Sequence, residues 1–245
     1  MRIDVLTLFP EMFEPVLGSS IPGRARSAGL VDWHITDIRD FAENKHNKVD
    51  DRPFGGGPGM VLMCQPLWSA VHDVEAREPE RGQVTRILLT PQGRTLTQAL
   101  VEDLATRPRL LLIAGHYEGI DERVIEELDP LEISVGDYVL SGGEIPAMLL
   151  IDAIVRLLPG ALGHDDSAAQ DSFSHQVEGY GRLLDCPHYT RPREWHDKTV
   201  PDVLISGDHA KVDAWRLQQM IQRTRQRRPD LLEPDPDPGK HTGAK

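Results

Sequence analysis

Three short apolar runs constrain this chain more than any other feature: Ile87-Leu88-Leu89-Thr90, Leu110-Leu111-Leu112-Ile113-Ala114 and Leu131-Glu132-Ile133-Ser134-Val135, each opening at once into a loop that carries glycine. The first two are apolar at successive positions, which predicts strands covered on both faces and therefore a parallel sheet. Helical patterns, Thr95 to Ala105 and Asp121 to Leu128, separate the runs. Upstream, Ile3 to Phe9 and Val31 to Ile35 read as two further strands. Strands alternating with helices predict the α/β class, a mostly parallel sheet with helices packed on it.

Parallel strands would gather the three loops, Thr90 to Arg94, Gly115 to Gly119 and Gly136 to Gly143, at the carboxyl edge where open α/β sheets bind ligands. None has the GxGxxG or GxxxxGK[ST] pattern and no lysine stands near them, which disfavours a dinucleotide or a nucleoside triphosphate. A pocket for another small ligand is the expectation. The third loop runs into Glu144 to Leu158, a helical stretch with Pro146 near its start and Pro159 at its end. It is apolar on nearly every face, which predicts burial in a core or a subunit interface. Asp152 and Arg156, spaced i,i+4, interrupt it on one side as an expected ion pair. Burying that pair would cost desolvation, so Arg156 is a candidate functional residue.

At 245 residues the chain can fill two modest domains. No apolar run reaches membrane-spanning length, and the first ten residues, MRIDVLTLFP, lack the features of a secretory signal, so a soluble cytoplasmic protein without a membrane partner is expected. Cys64 and Cys186 stand far apart, outside any CxxC pair, as expected of reduced thiols. The net charge of -12 argues against a nucleic-acid partner. Its distribution argues the other way: Cys186 to Asp230 holds nine Lys or Arg against six Asp or Glu, a net of +3. Five arginines and no acid fall within Trp215 to Arg228. Cys186-Pro187-His188-Tyr189-Thr190-Arg191-Pro192-Arg193-Glu194-Trp195 interleaves aromatics with arginines, a mixture suited to stacking on bases and pairing with phosphates. A helix is expected from Asp208 as its N-cap, with Val212, Trp215, Met220, Ile221 and Thr224 as a partial apolar stripe.

Five separated motifs, in order, carry a resemblance over nearly the whole length: Asp50-Asp51-Arg52-Pro53-Phe54-Gly55-Gly56-Gly57-Pro58-Gly59-Met60, Thr90-Pro91-Gln92-Gly93, Tyr117-Glu118-Gly119-Ile120-Asp121-Glu122-Arg123, Gly136-Asp137-Tyr138-Val139-Leu140-Ser141-Gly142-Gly143-Glu144 and Leu184-Asp185-Cys186-Pro187-His188-Tyr189-Thr190-Arg191-Pro192. The chain resembles the bacterial tRNA (guanine-N1)-methyltransferases of the TrmD type, members of the knotted SPOUT methyltransferases.

The resemblance implies a deep trefoil knot, S-adenosylmethionine as methyl donor, and methylation of ring N1 of the guanosine immediately 3′ of the anticodon in tRNA. It implies residues 1–163 as the knotted cofactor-binding domain, 164–182 as a flexible linker or lid, 183–232 as a small, mainly helical tRNA-binding domain, and 233–245 as a disordered tail. By motif match Leu88 and Pro91 would border the adenosine, with Gly115, Tyr117 and Glu118 from the middle loop and Val135, Gly136, Asp137, Tyr138, Val139, Leu140 and Gly142 from the third. Asp171 would be the general base and Arg156 the group that stabilises charge on the guanine O6. An obligate homodimer with its active site at the interface is implied too. So is a use of Mg2+, for which the sequence offers no ligand cluster beyond the scattered carboxylates of Asp50, Asp51 and Glu118.

Two departures stand out. His116 occupies the position where the family pattern leads one to expect arginine, and Ser174 to Arg182 is longer than the usual connection to the Leu-Asp-Cys-Pro motif. Two other readings remain: a knotted methyltransferase for another RNA position or for ribose, and a non-catalytic RNA-binding protein.

Overall fold

The structure is a computed structural model that describes residues 1–163, 171–174, 176–177 and 179–232. The chain divides into two compact units, Met1–Gly163 and His164–Lys245. Expectations for 164–170 and for the tail from 233 lie outside the described residues.

The first unit holds β1 (Arg2–Thr7), α1 (Glu14–Leu17), α2 (Ser20–Ser27), β2 (Asp32–Asp37), β3 (Asp50–Asp51), β4 (Val61–Leu62), α3 (Cys64–Ala76), β5 (Val84–Thr95), α4 (Gln98–Ala105), β6 (Arg109–Ala114), α5 (Glu122–Leu128), β7 (Leu131–Ser134) and α6 (Glu144–Val155). Five of its strands form one sheet in the order β2-β1-β6-β5-β7, every pairing parallel. The apolar strands sort their side chains by alternation. Leu110, Leu112, Ile87 and Leu89 enter one core with Leu100 and Leu104 of α4 and Ala147, Leu150, Ile151 and Ile154 of α6. Leu111, Ile113 and Leu88 enter a second core with Leu67, Ala70, Val71 and Val74 of α3 and Val124 and Leu128 of α5. Both faces are covered, which is why these strands carry so little polar alternation.

The buried charges of the sheet form a bound set. Asp4 of β1, 1% exposed, accepts from Arg2 Nη2 at 2.7 Å and from Arg109 Nε at 3.1 Å. Arg109 also donates to Val74 O at 2.6 Å and, more weakly, to Glu75 O, so it caps the C-terminus of α3 from within the sheet.

Three elements differ from expectation. Thr90 to Arg94, read as a loop, lies inside the single long strand β5, and both Leu89 and Arg94 stand opposite Ile133 of β7. The intervening residues leave the ladder and return to the same partner. Helix α4 consequently starts at Gln98 rather than Thr95, with the Thr97 side chain accepting from Leu100 N. Helix α6 is buried along one side only: Ile145 and Leu149 are exposed, as is Asp152, so the Asp152 side of the helix is not desolvated within this unit. Arg156 is half-buried and follows the last helical residue as its C-cap.

The second unit contains two short hairpins, β8 (Gln176–Val177) with β9 (Gly181–Arg182) and β10 (Glu194–Trp195) with β11 (Lys198–Thr199), followed by α7 (His209–Arg227). Asp208 caps α7 as anticipated, accepting from Lys211 N at 3.2 Å. The apolar stripe of α7 is half-buried, and its one fully buried member is Thr224, whose hydroxyl donates to Met220 O and accepts from Leu184 N at 2.9 Å. No described helix is long and apolar enough to cross a membrane. Both cysteines are free thiols. Burial is the main force pushing each of them up from its ordinary pKa.

Candidate functional site

The parallel order of β5, β6 and β7 brings the loops that follow their apolar segments to one edge of the sheet. Main-chain contacts then join them. His116 and Gly142 form an isolated antiparallel bridge, and Gly143 N donates to Gly115 O at 2.7 Å. Glycine is required at this seam by space alone: a Cβ on Gly143 would stand 2.7 Å from Ala114 Cα, and one on Gly142 would meet both Glu144 Oε2 and His116 Nδ1.

A third strip of chain reinforces the middle loop. The β3–β4 hairpin pairs Asp50 with Leu62 and Asp51 with Val61, and carries Pro53 to Gly59 at its tip. Glu118 N donates to Met60 O at 3.0 Å, Leu62 N to Gly119 O at 2.9 Å and Asp121 N to Leu62 O at 3.0 Å. Gly59 adopts φ +81°, and a Cβ there would collide with the Glu118 side chain. Tyr117 adopts φ +63°, a left-handed conformation costly for an aromatic residue, and its ring is partly exposed. Asp121 closes the loop as the N-cap of α5, and the Arg123 guanidinium beside it, at 2.8 Å, holds its carboxyl well below the usual carboxylate range.

The third loop is built around Gly136, φ +152°, against which the Tyr138 ring folds back so that its hydroxyl reaches Val135 O at 3.3 Å. Tyr138, Val139 and Leu140 are all exposed, apolar side chains offered at the mouth of the loop set. Asp137 is exposed as well, and Val135 and Gly142 are half-buried. Pro91 is exposed on the excursion of β5. Leu88 is not at the surface: its side chain lies in the second core, so a ligand at this edge would meet its backbone neighbourhood rather than its methyl groups.

Sequence reasoning assigned no role to the carboxylate at the base of the seam. Glu144, first residue of α6, is buried; its Oε1 accepts from Thr7 Oγ1 at 2.9 Å and its Oε2 lies 3.6 Å from His116 Nδ1. An acid directly after a glycine pair, at the head of a largely apolar helix, was the available signal.

The two residues expected to do chemistry lie in different units. Arg156 ends α6 in the first. Asp171 belongs to the second, at the start of a turn in which Ser174 N donates to Asp171 O, Phe173 N to Leu183 O at 2.9 Å, and Asp185 N to Ser172 Oγ at 3.0 Å. That turn is therefore tied to the segment entering the Leu184–Pro192 motif. Among the described residues no group of three or more His, Cys, Asp or Glu could hold a metal ion.

Residues 1–234 match the family model described as tRNA (Guanine-1)-methyltransferase TrmD. The chain belongs to this family. A protein of Brevibacillus brevis named tRNA (guanine-N(1)-)-methyltransferase is 54% identical over 233 residues, covering 95% of this chain and 92% of the relative. One of Pseudomonas fluorescens with the same name is 55% identical over 233 residues, covering 95% and 90%. The match runs through both compact units of this TrmD-family chain, and so includes the loop set, α6 and the basic helix α7 together.

Proposed function

We propose that this enzyme methylates ring N1 of the guanosine immediately 3′ of the anticodon in tRNA when another guanosine precedes it, with S-adenosylmethionine as donor, and thereby supports reading-frame maintenance. The observation that carries this reading is the family match over residues 1–234 on a chain whose glycine loops converge at one sheet edge. The tRNA (guanine-N1)-methyltransferase activity follows from that membership, and a cytoplasmic location follows from the substrate.

The residues present fit an adenosyl sulfonium ligand. The loops offer backbone amides and carbonyls at glycines 115, 136 and 142, apolar side chains from Tyr138 to Leu140, and no lysine to neutralise a phosphate. Pro91, Gly115, Tyr117, Glu118, the segment Val135 to Leu140 and Gly142 would hold it, with Leu88 contributing from the strand beneath. S-adenosylmethionine supplies a methyl group already activated toward nucleophiles.

Guanine N1 carries a proton in the neutral base, and the remaining chemistry belongs to side chains. Asp171 takes that proton as general base, effective once water is excluded around it. Arg156 places a guanidinium by the O6 that gains negative charge as the proton leaves. The basic C-terminal end of α7, with Arg223, Arg225 and Arg227 and the following Arg228, meets phosphate. A trefoil knot in the first unit belongs to this proposal, as does a homodimer that completes each site. An apolar groove supports the dimer: Val16, Pro22, Ile145, Met148 and Leu149 line one surface of the first unit. No step is assigned to a metal ion.

The test is mass spectrometry of unmodified tRNA transcripts incubated with the protein and methyl-labelled S-adenosylmethionine. Label in 1-methylguanosine next to the anticodon supports the proposal; label at another position or in ribose, or none, overturns it.

A further inference from the structure

We infer that Glu144 is a positioning residue of the cofactor pocket, acting through His116 to lock the middle and third loops together, and that cofactor binding closes this tie. The inference rests on the reading that these loops hold S-adenosylmethionine.

The geometry comes from three directions. From β1, the Thr7 hydroxyl donates to Glu144 Oε1 at 2.9 Å and accepts from Phe9 N at 2.9 Å, so one carboxylate oxygen is fixed to the sheet. From the middle loop, His116 presents Nδ1 to Glu144 Oε2 at 3.6 Å. From the third loop, Gly142 fills the space between them, with a backbone so close that any side chain there would displace either the carboxylate or the ring. The groups facing His116 are Glu144 from α6, the Phe9 ring at 4.8 Å and the Tyr117 ring at 5.1 Å.

A separation of 3.6 Å is beyond hydrogen-bond range, and His116 Nδ1 is buried without a hydrogen-bond partner among the described residues. A shift of about 0.6 Å between the loops would make the bond. Orphaned buried polar groups carry a cost that a small closing motion removes. A ligand that draws the two loops together makes this bond, and the bond adds to the ligand's affinity.

The experiment is calorimetric titration of the full chain with S-adenosylmethionine, alongside Glu144→Gln, His116→Asn and His116→Arg. The affinities of Glu144→Gln and His116→Asn are expected to fall roughly tenfold to a hundredfold, the scale of a lost charge-assisted hydrogen bond. His116→Arg is expected to keep most of the affinity, because its guanidinium reaches the same carboxylate. Unchanged affinity in Glu144→Gln and His116→Asn would overturn the inference, as would His116→Arg binding no better than His116→Asn. Should Glu144→Gln not fold, the two His116 variants decide alone. Absence of any binding by folded wild type would instead overturn the reading of the loops, and this inference with it.

Discussion

Gly93 lies against the backbone of Ile133 so closely that a Cβ on it would stand 2.4 Å from Ile133 N. The contact marks where β5 returns to the ladder after Thr90, Pro91 and Gln92 have left it. Gly93→Ala cannot be accommodated by a rotamer change, since the obstacle is main chain. The strands must separate, and the expected outcome is a clear loss of thermal stability together with weakened S-adenosylmethionine binding. Thermal unfolding with and without the ligand checks both.

The Arg2–Asp4–Arg109 set makes a larger prediction. Asp4→Ala leaves two guanidinium groups, at 2% and 0% exposure, facing each other without their shared anion. Removing one partner of a buried ion pair costs about 3–5 kcal/mol. Urea denaturation should show a midpoint lowered by that loss divided by the slope, with the slope itself unchanged.

In the second unit, Thr224→Val keeps shape but removes the acceptor for Leu184 N. A buried amide left unsatisfied costs about 1–3 kcal/mol. Hydrogen exchange should report faster opening across 183–186 and the end of α7, with exchange in the sheet of the first unit unchanged.

Acid should reach the middle loop through Asp121. Its folded pKa is depressed, chiefly by Arg123, so the stability it adds is full above its unfolded value of about 3.9 and is lost as pH falls toward the folded one. Asp121→Asn should make stability less steep below about pH 4. The same variant keeps the cap of α5, because an asparagine side-chain oxygen accepts from Arg123 N as aspartate does, so its effect is confined to the lost pairing with the Arg123 guanidinium. Denaturant midpoints measured from about pH 2.5 to about pH 7 check the slope.

Asp171→Ala is expected to lower turnover by roughly a hundredfold to ten-thousandfold, the range of a lost general base, while sparing cofactor affinity. Arg156→Ala should lower turnover by roughly a hundredfold or more on the same division of labour. Single-turnover methylation beside calorimetric titration makes the comparison; lost cofactor affinity in Asp171→Ala would contradict the assigned role.

The sheet was legible because burial on both faces leaves a plain mark, continuous apolar runs at 87–90 and 110–114. Helix α3 was not foreseen: Gln65, Trp68, Ser69 and His72 alternate with its buried positions, so no apolar block announces it. The excursion at Thr90–Gly93 read as an ordinary loop because only the proximity of Ile133 reveals that the strand resumes. Glu144 and Thr7 are 137 residues apart, and their hydrogen bond is a product of tertiary structure alone. His116 was noticed for breaking a family pattern, yet its neighbour Glu144 could be found only by folding the chain.

Helix α6 has a consequence of its own, because it begins at Glu144 under the loop seam and ends next to Arg156. Its twelve residues span about 18 Å, and adding or removing one would shift the far end by about 1.5 Å and swing it through roughly 100°. The helix is thus a ruler: it sets both the distance and the bearing of the guanidinium from the loops. A single-residue insertion should misaim Arg156 even with every site residue intact.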